Sequence, residues 1–137
     1  MQGDVREHLR MLTEVGAEPR RIRRPSELAR VDAMVLPGGE STTMAKLAET
    51  FDLLVPLQQR VAEGMPTLGT CAGMILLADS IEGGTSDQQT IGGLDVVVRR
   101  NAFGRQVDSF EDDVSFADFA EPLRAVFIRA PIVVKAG

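Results

Sequence analysis

Residues 69 to 73 read Gly69-Thr70-Cys71-Ala72-Gly73, and Cys71 is the only cysteine of the 137-residue chain. The apolar stretch Met65-Pro66-Thr67-Leu68 precedes them, and the helical-looking run Met74-Ile75-Leu76-Leu77-Ala78 follows. Strand, glycine-bracketed nucleophile, helix is the nucleophile-elbow pattern, with cysteine where hydrolases of another fold carry serine. The flanking glycines allow a sharp turn and leave room beside the sulfur. A thiol at a helix N-terminus feels the positive end of the dipole, which favours thiolate. The N–H of Ala72 would point toward an oxyanion formed there. The competing reading of a lone cysteine is a small buried hydrophobe. The glycine bracket and the strand-to-helix setting favour chemistry.

A second loop, Pro37-Gly38-Gly39-Glu40-Ser41-Thr42, follows the apolar run Ala33-Met34-Val35-Leu36. That run reads as a buried parallel strand. Glycines at a strand's carboxyl end let backbone N–H groups approach a ligand, and ligands of open α/β sheets bind there. Glu40 suits an amino group, and Ser41 or Thr42 suits the cap of the next helix. Taken alone, Gly38-Gly39 is a plain turn. Beside the cysteine loop it becomes specific, because both loops would open at one edge of a sheet.

The elements around these loops follow from periodicity. Val5, Leu9, Leu12 and Val15 recur at helical spacing, with Gly16 as a stop. Arg20 to Arg24 reads as a short strand with arginines outward, and Ser26 as the cap of a helix through Val31. Thr43 to Gly64 reads as helix, with Met44, Leu47, Phe51 and Leu54 on one face and a break at Pro56. Glu82 to Thr90 is a polar surface loop. Strands are expected at Leu94–Val98, Val107–Phe110, Val114–Phe116 and, buried, Ala125–Ile128. Alternating strands and helices in the first half predict a single α/β domain over 1–137 with a mainly parallel sheet. The strand-rich second half predicts an antiparallel extension.

Composition excludes several classes. Hydrophobic residues make up 44% of the chain, too many for general disorder. A net charge of −5 and the absence of Trp and Tyr argue against nucleic-acid binding. One cysteine forms no internal disulfide, and no apolar run has the length of a membrane span. A cytoplasmic protein without membrane or nucleic-acid partner is expected, with no signal peptide before Gln2.

With these motifs in place, the chain resembles the glutaminase subunit of pyridoxal 5′-phosphate synthase, a class I, triad-type glutamine amidotransferase family. The matching stretches are Gln2 to His8, Leu36 to Met44, Gly69 to Gly73, Arg100 to Phe110 and Phe127 to Pro131. The Arg100–Phe110 stretch is the one distinctive to this subfamily. The resemblance implies a flavodoxin-like three-layer domain that hydrolyses L-glutamine and passes ammonia to a synthase subunit, without metal or cofactor. It implies Cys71 as nucleophile and the N–H groups of Gly39 and Ala72 as oxyanion hole. It implies Gly39, Glu40, Ser41, Arg100, Ile128 and Arg129 as glutamine-binding residues. A cation such as Arg100 or Arg129 suits the substrate carboxylate.

The chain departs from the family pattern in two places. The family's triad histidine and glutamate lie in a late His-Pro-Glu motif, which the 137 residues do not contain. The only histidine is His8, expected on a helix surface away from the nucleophile. The family also has an apolar strand ahead of the segment matching Gln2. The domain is therefore expected to be incomplete at both ends. A second reading follows: a module that docks its partner but does not turn over glutamine. A third, another cysteine-elbow α/β protein, is disfavoured by the Arg100–Phe110 stretch.

Overall fold

The computed structural model describes residues 3–84, 87–102, 109–117 and 119–137. The chain runs α1 (Val5–Glu14), α2 (Pro25–Leu28), β1 (Met34–Leu36), α3 (Ser41–Thr50), α4 (Leu54–Ala62), β2 (Thr67–Gly69) and α5 (Ala72–Leu77). It continues with β3 (Ala78–Glu82), β4 (Leu94–Arg99), β5 (Phe110–Val114), β6 (Leu123–Phe127) and β7 (Ile132–Ala136). The result is a mixed α/β fold. β1 pairs with β2 in parallel, with Leu36 opposite Gly69, so both strands end at the same edge. β3 pairs with β4 in parallel and β4 with β7 antiparallel, while β5 and β6 form a separate antiparallel pair.

The main core lies between β1, β2 and helices α2 to α5. Leu28, Leu36, Met44, Leu57 and Leu76 are essentially sealed from solvent in it. Each such side chain contributes about 1.5–3 kcal/mol through burial. A smaller cluster joins Ile75, Ala78 and Val98. Helix α5 links the two, with Leu76 and Leu77 in the first and Ile75 in the second. The segment that begins at the candidate nucleophile is thus the best-anchored part of the fold. Helix α1, in contrast, buries none of its residues. Together with residues 17–23 and β1 it borders a groove of about 1010 Å³.

Several expected elements differ. Residues 17–23 form no strand. The N–H groups of Arg23 and Arg24 instead donate to the Glu27 carboxylate at 2.6 and 3.0 Å. Those bonds, with Pro25 in the first turn, start α2, so Ser26 is not its cap. The long helix from Thr43 breaks before Pro56, at Phe51–Leu53, where Asp52 has φ 55°. Pro56 sits in the first turn of α4, where its missing N–H costs nothing. Met44 and Leu54 are buried as expected, but Phe51 is exposed. β3 falls where no strand was expected. The strand expected at Val114–Phe116 is only the end of β5. Residues 107–108 of the expected Val107–Phe110 strand, like Gln2 and residues 103–108 of the matching stretches, lie outside the described residues. β6 is not buried: Val126 is exposed, and Ile128 beyond it also.

Candidate active site

Cys71 stands between the end of β2 and the first residue of α5, as the cap of that helix, with an exposed side chain. Its backbone has φ 49° and ψ −106°. Glycine tolerates this conformation, while a residue with a β-carbon is strained in it by about 1–3 kcal/mol. The bracketing glycines serve close approach rather than the turn. A β-carbon on Gly73 would collide with the carbonyl oxygen of Leu36. One on Gly69 would lie 2.5 Å from the carbonyl carbon of Gly73. The two glycines let α5 start directly against β1 and β2, and that tight seat holds Cys71 in its turn. Thr70 N–H donates to Leu36 O at 3.0 Å, and Gly73 N–H to Thr70 O at 2.8 Å.

The glycine loop lies alongside. A β-carbon built on Gly38 would be 3.5 Å from the β-carbon of Cys71, so the two loops touch at the shared end of β1 and β2. Gly39 has φ 156° and is exposed. Neither the Gly39 N–H nor the Ala72 N–H meets an acceptor among the described residues. Unengaged backbone donors in the two touching loops are available to a developing oxyanion.

Glu40 caps α3, a role sequence reasoning gave to Ser41 or Thr42. Its Oε1 accepts from Thr42 N–H (3.1 Å) and Arg100 Nη2 (3.0 Å). Its Oε2 accepts from Thr43 N–H (2.7 Å) and the Thr43 hydroxyl (2.8 Å). A carboxylate offers about four lone-pair sites, and here all are taken. Burial raises its pKa, but the hydrogen bonds from Thr43 and Thr42 outweigh that and bring it down to about 2. Arg100 is likewise engaged. With its side chain only 16% exposed, it also donates from Nη1 to Gln88 Oε1 (2.6 Å) and Thr42 Oγ1 (3.0 Å). Gln88 in turn donates to the buried Ser41 hydroxyl at 3.1 Å.

Glu40, Ser41 and Arg100 thus form one polar network at the start of α3, completed by Thr42 and Gln88. Sequence reasoning missed the last two as network members; Gln88 sits in a polar stretch that carries no local signal. Ile128 and Arg129 are exposed, and among the described residues their turn approaches this group through a neighbouring backbone bond. Ala102 N–H donates to Ala130 O at 3.2 Å, which ties their turn to the one after Arg100. Asn101 and Arg129, on either side of that tie, both have positive φ, 49° and 45°. His8 is not remote from the elbow: its Nε2 lies 3.3 Å from Thr70 Oγ1. Among the described residues no group of three His, Cys, Asp or Glu side chains has a metal-holding arrangement.

The SNO glutamine amidotransferase family matches the chain over residues 1–137. A protein of Nocardioides sp. named pyridoxal 5′-phosphate synthase subunit PdxT is 64% identical over the whole chain, which spans 68% of that protein. One of Frankia casuarinae with the same name is 62% identical, with 69% of it spanned. A solved structure described as a glutamine amidotransferase superposes with a TM-score of 0.89 at 43% identity, over 99% of this chain and 71% of that one.

Proposed function

The chain belongs to the SNO glutamine amidotransferase family, and on that premise we propose that it hydrolyses L-glutamine and delivers the ammonia to the synthase subunit of a pyridoxal 5′-phosphate synthase. The observation that carries the reading is the contact of the Gly38-Gly39 loop with the strained Cys71 turn. The name PdxT of the relatives supports the partner.

In this proposal Cys71 Sγ adds to the side-chain amide carbon of glutamine. The carbonyl oxygen takes up negative charge between the N–H groups of Gly39 and Ala72. Collapse breaks the C–N bond, the nitrogen takes a proton and leaves as ammonia, and a γ-glutamyl thioester remains on Cys71. Water then splits the thioester into glutamate and free thiol. The amino-acid end of the substrate lies over Gly39, Glu40 and Ser41, toward Arg100, Ile128 and Arg129. An ammonium group reaches Glu40 only by displacing one of its four donors, so part of the role of Glu40 and Arg100 is to fix the loop.

The proton transfers are assigned to the triad's histidine and glutamate. The 137 residues hold one histidine, His8. The domain is read as three-layered and flavodoxin-like. The match to the solved glutamine amidotransferase structure supports that reading. No helix among the described residues is long and apolar enough to cross a membrane, and a cytoplasmic site of action is proposed. The test is ammonia release from glutamine in the presence of the synthase subunit, compared between the domain with its triad and its Cys71→Ala variant. Release that survives Cys71→Ala would refute the assignment.

A further inference from the structure

We propose that His8 is a positioning residue that holds the Cys71 turn in its strained conformation; this rests on Cys71 being the nucleophile. His8 Nδ1 lies 2.7 Å from the carbonyl oxygen of Asp4. A carbonyl only accepts, so Nδ1 carries the proton. In the neutral ring Nε2 then accepts from the Thr70 hydroxyl, 3.3 Å away. Asp4 N–H donates to Gly38 O at 3.3 Å, and Gly3 packs under Gly39, its Cα 3.3 Å from where a β-carbon on Gly39 would stand. One imidazole therefore joins the two loops: through Asp4 to the glycine loop, through Thr70 to the cysteine turn.

Helix α1 buries none of its residues, so these bonds at its first turn are what tie it to the site. A residue at φ 49° persists only where its surroundings over-determine it. Thr70 immediately precedes that residue. Its backbone is bonded to Leu36 and Gly73, and its side chain to His8. Releasing the side chain lets the turn relax and moves Sγ relative to the Gly39 and Ala72 donors. A displacement of about 1 Å between reacting groups costs up to about 10²-fold.

The experiment measures labelling of Cys71 by a diazoketone analogue of glutamine, in which Sγ bonds the diazo-bearing carbon as that carbon takes a proton and N₂ leaves, alongside alkylation by iodoacetamide, which needs no glutamine site. His8→Ala and Thr70→Val are each expected to slow labelling by the analogue about tenfold and alkylation by iodoacetamide less than twofold. The double variant is expected to be no slower than either alone. Gln places its terminal amide where Nε2 stands, and Asn where Nδ1 stands, so His8→Gln is expected to restore labelling by the analogue and His8→Asn is not. Wild-type labelling rates in His8→Ala, rescue by Asn but not Gln, or additive losses in the double variant would overturn the inference alone. Wild-type protein that reacts with iodoacetamide at Cys71 but never with the analogue would overturn the nucleophile assignment, and this inference with it.

Discussion

Replacing Glu40 by Gln leaves size and shape almost unchanged but removes the charge from the cap of α3. An amide has one accepting oxygen and one donating nitrogen. Turned one way, its NH₂ faces two donors, Thr42 N–H and Arg100 Nη2; turned the other, it faces the Thr43 N–H, and the Thr43 hydroxyl must rotate to accept. The fall of the Glu40 pKa from 4.5 to about 2 would correspond to about 3 kcal/mol for a buried group. The side chain is 53% exposed, so solvent screening reduces this to about 1–2 kcal/mol. Loss of a helix cap gives a similar figure, about 0.5–2 kcal/mol. Because the pKa is lower in the folded state, the stabilisation is complete above about pH 4.5 and disappears as pH falls toward 2. Urea denaturation of wild type and Glu40→Gln at pH 7, 4 and 3 tests this. Other carboxylates titrate in both proteins and cancel in the difference. The expected gap is about 1–2 kcal/mol at pH 7, shrinking steadily toward pH 3. No gap at pH 7, or one that stays constant to pH 3, would refute the picture of Glu40 as a saturated, charged cap.

Other substitutions probe the elbow and the core. Cys71→Gly is expected to stabilise the fold by about 1–3 kcal/mol while abolishing acylation, because glycine relieves the strain at φ 49°; a thermal melt below wild type would contradict it. Gly73→Ala is expected to destabilise by at least about 1–3 kcal/mol, since the added methyl meets the Leu36 backbone and not a movable side chain; an unchanged melting temperature would count against the close seat of α5 on β1. Leu36→Ala, at a fully buried position, is expected to lose about 2–5 kcal/mol in denaturant titration.

The parts of the site legible in sequence were those written locally. The apolar run before Gly38, the glycine pair, and the glycine bracket of Cys71 placed both loops at the ends of adjacent strands, where they stand. The glycines' reason was less visible. Gly69 and Gly73 read as turn residues, but the strain falls on Cys71, while Gly73 admits the Leu36 backbone and Gly69 the backbone of Gly73. In sequence Glu40, an anion, suits an amino group, and Ser41 and Thr42 are the commoner cap types. Its capping bonds are local, but the Arg100 and Gln88 bonds that complete the network span 60 and 46 residues. No periodicity encodes such pairings. The arginine run was misread because extended residues resemble a strand until Glu27 captures the N–H groups of Arg23 and Arg24. β3 escaped notice because Asp79 and Ser80 are loop-like residues. Its strand exists through pairing with β4, a tertiary effect.

The most direct test of Cys71 as a glutamine-directed nucleophile is mass-spectrometric mapping after treatment with the diazoketone glutamine analogue, with and without excess L-glutamine. One covalent adduct is expected, confined to the peptide carrying Cys71 and formed more slowly when glutamine competes. Alkylation of Cys71 by iodoacetamide with no adduct from the analogue, or an adduct whose rate glutamine leaves unchanged, would contradict it.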